Sequence, residues 1–210
     1  MILSKLLLNP RSRQVQAELS NPYEMHRTIM SGFPDGIKQQ GRVLYRLEVR
    51  QQPPYLSVLV QSQLQPDWQP VWESGYLLQP AESKPFQLRV ETGQVFAFRL
   101  VANPTRKLKD ADNENGKRVG IYKVEEQEAW FKRKAGQHGF SLRALQIKPG
   151  DRFEGKLVNG KRKHTLKLVM VQFDGLLEVT DVPEFEAAIA AGIGSAKGFG
   201  FGLLSIARVN

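Results

Sequence analysis

No cysteine occurs in the 210 residues, which excludes disulfides, Cys-ligated zinc or iron–sulfur centres and a thiol nucleophile. Histidine is scarce too. There are 3, namely His26, His138 and His164, so proton transfer near neutral pH has few places to reside. No apolar run approaches the roughly 18 residues of a membrane span. The opening Met1-Ile2-Leu3-Ser4-Lys5-Leu6-Leu7-Leu8 is too short for a signal peptide and lacks a small-residue cleavage site. It reads as a first strand, and a cytoplasmic protein with no membrane partner is expected. Carboxylates nowhere stand at metal-site spacing. Asp110, Asp112 and Glu114 start like a calcium loop, but the Gly and Glu that should follow at its sixth and twelfth positions are missing. That stretch is read as a solvated loop, and no metal or other cofactor is expected.

What is abundant is positive charge. Lys and Arg number 30 against 21 Asp and Glu, a formal net charge of +9, within an ordinary globular mix of 41% hydrophobic and 24% charged residues. Such a balance points to a polyanionic partner, either RNA, DNA or acidic lipid, with an inert basic surface as the alternative.

Strand and helix patterns alternate along the chain. Residues 2–8 are strand-like, and Asn9-Pro10 opens a helical stretch. A second helix starts at Asn21-Pro22-Tyr23-Glu24, with Asn21 as N-cap, Pro22 at the first helical position and Glu24 at capping-box spacing. It ends near Gly32. Residues 42–50 and 56–63 read as strands, a weak helix follows Pro66, and 94–101 reads as another strand. Residues 105–117 are polar and carry both signs of charge, which predicts an exposed connecting loop. Then come a helix over 124–137 that buries Trp130, strands near 140–147, 164–173 and 175–180, a short helix over 183–191, and a Gly-rich tail leading into a last strand. Two α+β units follow: residues 1–104, where the order fits a ferredoxin-like βαββαβ plan, and residues 118–210, less regular, carrying the hairpin and the Gly-rich loop.

His26 lies three residues after Tyr23, so the two share one face of the capped helix with Arg27 close by, while Met25 and Ile29 form the core face. This polar patch near a helix start suits a phosphate; the alternative is a solvated face with a chance His. His138, before Gly139, reads as a helix end. Asn159-Gly160 signals a hairpin. Its arms and tip carry Lys156, Lys161, Arg162, Lys163, His164 and Lys167, with no acidic residue between Lys156 and Lys167. These six are candidates for contacts to a nucleic-acid backbone. In the tail, Gly192 through Leu204 is neither a Walker loop nor a dinucleotide fingerprint. Its glycines allow close approach either to RNA or to a packed helix, and Lys197 stands among them as a further RNA-contact candidate.

Four segments together resemble a known family. They are Asn21-Pro22-Tyr23-Glu24-Met25-His26-Arg27, Phe98-Arg99-Leu100-Val101-Ala102-Asn103-Pro104, the helix around Ala129-Trp130, and Gly192-Ile193-Gly194-Ser195-Ala196-Lys197 through Gly202-Leu203-Leu204-Ser205. Over its whole length the chain resembles the CasE family, the CRISPR RNA-processing endoribonucleases of the type I-E Cascade complex. The resemblance implies two tandem ferredoxin-like domains and metal-independent cleavage of the CRISPR repeat transcript at the 3′ base of its hairpin. It also implies retention of the processed guide among other Cascade subunits. It makes His26 the catalytic histidine and Tyr23 its partner. Arg27 or a Lys could stabilise the developing charge. Ends of 5′-OH and 2′,3′-cyclic phosphate, or its 3′-phosphate, are then expected. The rival reading is a non-catalytic structured-RNA-binding subunit of a ribonucleoprotein.

Overall fold

Among the described residues, backbone hydrogen bonding assembles two four-stranded antiparallel sheets and one two-stranded hairpin. The structure, a computed structural model, describes residues 1–34, 36, 41–51, 54–110, 113–159 and 162–209. For 50, 51, 54, 109, 110, 113–117, 151–159 and 162–166 it describes the backbone alone. The chain divides into two compact units, Met1–Arg89 with Lys197–Leu203, and Val90–Ala196 with Leu204–Asn210. No helix among the described residues is long and apolar enough to cross a membrane.

The first unit runs β1 (Ile2–Leu7), α1 (Arg13–Leu19), α2 (Pro22–Met30), β2 (Leu44–Gln51), β3 (Pro54–Ser62), α3 (Gln69–Glu73) and β4 (Glu82–Pro85). Its sheet order is β2-β3-β1-β4, every neighbour antiparallel, which is the ferredoxin-like split arrangement. Alternation along β1 buries Ser4, Leu6 and Leu8 and exposes Lys5. Leu6 pairs with Val58 and Tyr45 with Val60, so these residues share the face that joins Met25 and Ile29 of α2 in one core. Burying each such apolar side chain contributes about 1.5–3 kcal/mol.

A buried carboxylate fixes the two helices. Glu18, near the end of α1, is 4% exposed. It accepts hydrogen bonds from Thr28 Oγ1 of α2 (2.6 Å), from Tyr76 OH (2.6 Å) and from Gln14 Nε2 (2.9 Å). A buried charge persists only when its lone pairs are met in this way. Burial, followed by the hydrogen bond to Glu18, pushes the Tyr76 phenol far above its usual range, so Tyr76 stays a donor.

The second unit runs β5 (Val95–Ala102), β6 (Thr105–Asp110), β7 (Asn113–Gly120), α4 (Val124–Gln137), β8 (Phe140–Asn159), β9 (Arg162–Val179), α5 (Val182–Ala191) and β10 (Leu204–Arg208). With the β6–β7 hairpin set aside, its sheet order β10-β5-β9-β8 repeats the same plan. Stacked aromatics fill its core: Phe131 and Phe173 lie 4.5 Å apart between centroids, and Trp130, 4% exposed, stacks on Phe173. Next to Phe173 in β9, Asp174 turns to a polar cluster. Burial raises its carboxyl, but hydrogen bonds from Arg99 and Gln172 and the charges of Arg99 and Lys148 outweigh that and hold the group below its usual value.

Several expectations change. The strand read at 94–101 does not close the first sheet. As β5 it pairs with β9 and β10, and the first sheet is closed by β4, whose four residues are all exposed. The first unit accordingly ends at Arg89 rather than near 104. Residues 105–117 are not an irregular loop, because β6 and β7 pair from Thr105↔Gly120 to Asp110↔Asn113; an exposed hairpin carries the same polar composition as a loop. Asp112 and the side chains of Asp110 and Glu114 lie outside the described residues. The strands expected at 164–173 and 175–180 form one strand. Gly175 lies inside it because a Cβ there would sit 2.0 Å from the Ala144 carbonyl oxygen of β8. Residues 197–203 of the tail belong to the first unit, not the second.

Candidate catalytic site

α2 begins where Pro22 can accept it: proline has no N–H to leave orphaned at the first helical position. The capping box does not form. Asn21 makes no side-chain cap; its backbone oxygen accepts from the N–H groups of Glu24 (3.1 Å) and Met25 (3.2 Å), and Glu24 instead pairs with Arg27 at 3.1 Å. The helical period then divides the side chains. Met25 and Ile29 are 4% and 0% exposed, whereas Tyr23 is 41% exposed, His26 is half-buried and Arg27 exposed. The helix is thus anchored by one face and offers a phenol, an imidazole and a guanidinium on the other. The Arg27–Glu24 pair is solvent-exposed, so it holds Arg27 weakly and leaves it able to turn toward an anion.

Two further residues bound the imidazole. The Tyr45 ring of β2 lies nearly parallel to it, with centroids 6.4 Å apart and planes at 17°. A Cβ placed on Gly198 would lie 3.6 Å from His26 Cε1 and 3.8 Å from both ring nitrogens, so the backbone of the Gly-rich segment runs against the ring. The Tyr45 hydroxyl donates toward Gly198 O (3.2 Å) and Pro22 O (3.3 Å). Burial, with a contribution from the Glu18 charge, pushes the Tyr45 phenol far above its usual range.

Lys197 opens the short 3-10 turn Lys197–Phe199, directly before Gly198 and half-buried. It therefore belongs to the same unit as Tyr23, His26 and Arg27. The glycines of this tail pack on side chains: a Cβ on Gly194 would lie 3.3 Å from Trp130, and one on Gly200, where φ is +83°, 3.2 Å from the Tyr45 ring.

The basic hairpin lies in the second unit. β8 and β9 pair antiparallel with Lys156 opposite Thr165, Leu157 opposite His164, Val158 opposite Lys163, Asn159 opposite Arg162 and Glu154 opposite Lys167. The two arms are therefore joined through Gly160 and Lys161, which lie outside the described residues, as do the side chains of Lys156, Arg162, Lys163 and His164. Lys167 is exposed. His138 caps α4, its N–H bonding Ala135 O at 3.0 Å. Gly139 follows with φ +70°, where a Cβ would come within 2.3 Å of Asp181 O; the helix-end reading of His138 holds. Among the described residues no three His, Asp or Glu side chains gather at metal-binding geometry.

Sequence reasoning missed Tyr45. It sits on an alternating strand and looks like any core aromatic, and nothing local signals that its ring meets a histidine on a preceding helix.

A sequence profile of the family described as CRISPR associated protein matches residues 1–208. The chain is 38% identical to CRISPR-associated endoribonuclease Cse3 of Thermus thermophilus, over 99% of this chain and 100% of that one. It is 29% identical to CRISPR system Cascade subunit CasE of Escherichia coli K12, over 99% of each. Its fold matches that of Thermus thermophilus Cse3 bound to an RNA representing a pre-cleavage complex, with a TM-score of 0.81 and 34% identity, covering 99% of this chain and 98% of that one.

Proposed function

The chain belongs to the CRISPR-associated protein family matched by its residues 1–208, and on that premise we propose that it is an endoribonuclease that cuts CRISPR repeat RNA at the 3′ base of its hairpin and stays bound to the guide within Cascade. The observation that carries this reading is the placement of exposed Tyr23 and half-buried His26 on the face of α2 opposite Met25 and Ile29, which lock the helix into the core. Relatives that are named as an endoribonuclease and as a Cascade subunit support it.

The chemistry follows from the residue types. RNA carries its own nucleophile, the 2′-OH. In-line attack needs that hydroxyl deprotonated, the phosphorane charge stabilised and the 5′-oxygen protonated. His26 serves as general acid or base, a role typically worth about 10²–10⁴-fold. Tyr23 orients it or shares the proton transfer, and Arg27 or Lys197 stabilises the developing negative charge. The 2′-oxygen displaces the 5′-oxygen, leaving a 5′-OH and a 2′,3′-cyclic phosphate or its 3′-phosphate.

Incubating the purified protein with end-labelled repeat RNA in EDTA tests this directly. A single cut at the 3′ base of the hairpin is expected, with a downstream fragment whose 5′-OH accepts phosphate from a polynucleotide kinase without prior dephosphorylation. Binding without cleavage would instead support a structural RNA-binding subunit.

The hairpin of β8 and β9 is the proposed contact to the RNA stem. A-form RNA hides its base edges in a deep major groove, so phosphates and shape dominate there. Replacing Lys161, Arg162 and Lys163 with Ala should weaken binding and reduce the salt slope by about one for each phosphate no longer neutralised, with sequence preference along the stem little changed. An unaltered slope, from binding isotherms at several salt concentrations, would remove the hairpin from the interface.

A further inference from the structure

We propose that Tyr45 is a positioning residue for His26: its ring backs the imidazole, and its hydroxyl ties the first turn of α2 to the glycine-rich segment. The inference rests on the reading of His26 as the proton-transfer group.

Tyr45 is 2% exposed, so it is held by the core and touches no RNA. Its ring meets His26 nearly parallel at 6.4 Å, within the range of offset stacking. A hydroxyl has one proton to give, and here it points at two carbonyls, Pro22 O and Gly198 O. Pro22 lies four residues before His26, so its carbonyl is the helical acceptor for the His26 N–H. The second carbonyl belongs to the residue whose backbone runs against the imidazole. One phenol therefore fixes the backbone beneath His26, the backbone beside it and one side of the ring. Burial keeps the phenol protonated, which suits a fixed donor.

The next residue completes the hold. Arg46, 4% exposed, donates from Nη1 to Leu203 O at 3.2 Å and from Nε to Glu48 Oε1 at 3.1 Å. Successive strand residues point to opposite faces. β2 is an edge strand, so Tyr45 and Arg46 secure the two ends of residues 198–203 from the two faces of that edge. The segment that flanks His26 is thus fixed to the same strand as the ring that backs it. A misplacement of about 1 Å in a catalytic group can lower a rate by about 10²-fold, and this arrangement removes the freedom to make it.

The test compares wild type, Tyr45→Phe, Tyr45→Leu, His26→Ala and the Tyr45→Leu/His26→Ala double variant on the full repeat hairpin. Single-turnover rates are read at saturating protein together with the half-saturating concentration, and the His26 Hε1 resonance is followed by proton NMR. Tyr45→Phe, which keeps the ring, should be slower by about 3–10-fold, and Tyr45→Leu by about 30–100-fold, with half-saturation within about 3-fold of wild type. The His26 Hε1 resonance should lose its ring-current shift in Tyr45→Leu and keep most of it in Tyr45→Phe. Tyr45→Leu should cost nothing further once His26 is Ala. A Tyr45→Leu enzyme at wild-type rate, or one losing as much in the His26→Ala background, overturns the assignment while leaving His26 catalytic. Should Tyr45→Leu fail to fold, an unchanged Tyr45→Phe rate overturns it. Normal cleavage by His26→Ala would instead remove His26 from the proton transfer, the reading on which this inference rests.

Discussion

Replacing His26 with Ala is expected to slow single-turnover cleavage of repeat RNA by about 10²-fold or more, with RNA affinity kept within roughly a few-fold. The fold should survive. Met25 and Ile29, not His26, hold α2 to the sheet, and Glu18 holds it to α1 through Thr28. The substitution removes the stack on Tyr45, worth about 0.5–1.5 kcal/mol, and for a chain of this size each kcal/mol lowers Tm by about 2–4 °C. Binding draws on many phosphate contacts, so one imidazole matters little to it. Proton transfer, by contrast, rests on one imidazole, since His26 is the one histidine in the sequence of the first unit. Single-turnover kinetics and equilibrium binding on one RNA separate the outcomes. Near-normal cleavage would refute the catalytic role, and a parallel loss of affinity would make His26 a contact residue.

An RNA with a single 2′-deoxy substitution just upstream of the cut should bind with unchanged affinity and remain whole. The proposed reaction has no nucleophile other than that 2′-oxygen. Its removal therefore abolishes product rather than slowing it. One missing hydroxyl hardly alters the phosphate charge that dominates affinity. The substrate should stay intact over times that exceed the wild-type turnover time by about 10⁴-fold, the upper reach of what general acid–base catalysis alone supplies. Cleavage of the deoxy substrate would show that the nucleophile is water, and EDTA inhibition would show that a metal activates it; either result sinks the mechanism.

Much of the candidate site's placement was legible because its signals are local. Proline at a first helical turn, a buried pair at positions 25 and 29 and a polar pair at 23 and 26 follow from 3.6-residue periodicity, and the structure keeps all of them. α4 runs over Val124–Gln137 as its pattern predicts, with Trp130 buried. The hairpin signal at Asn159-Gly160 is matched by the pairing of Asn159 with Arg162. The capping box was legible and did not form: the Asn21 N–H that Glu24 would reach already donates to Glu18 O at 3.0 Å, and Glu24 faces Arg27.

The amino-acid sequence by itself determined where α2, α4 and α5 lie, which face of α2 is buried, and which residue types are present to move a proton without a thiol; the helix expected to open at Asn9-Pro10 starts instead at Arg13, capped by Ser12. Those properties depend on neighbours within a turn or two of chain. Only the tertiary structure decided which strands pair. Val95–Ala102 has the alternation of a strand that could close either sheet, and its register with β9 and β10 settles the choice. Glu82–Pro85 has no apolar alternation at all, and it is a strand because β1 offers it an open edge. The tertiary structure also brought residues 197–203 back to the first unit, where Gly198 meets His26 and Tyr45 accepts the segment against its ring. Backbone hydrogen bonds and glycine contacts of this kind carry no side-chain pattern, so they become visible only when distant parts of the chain occupy the same space.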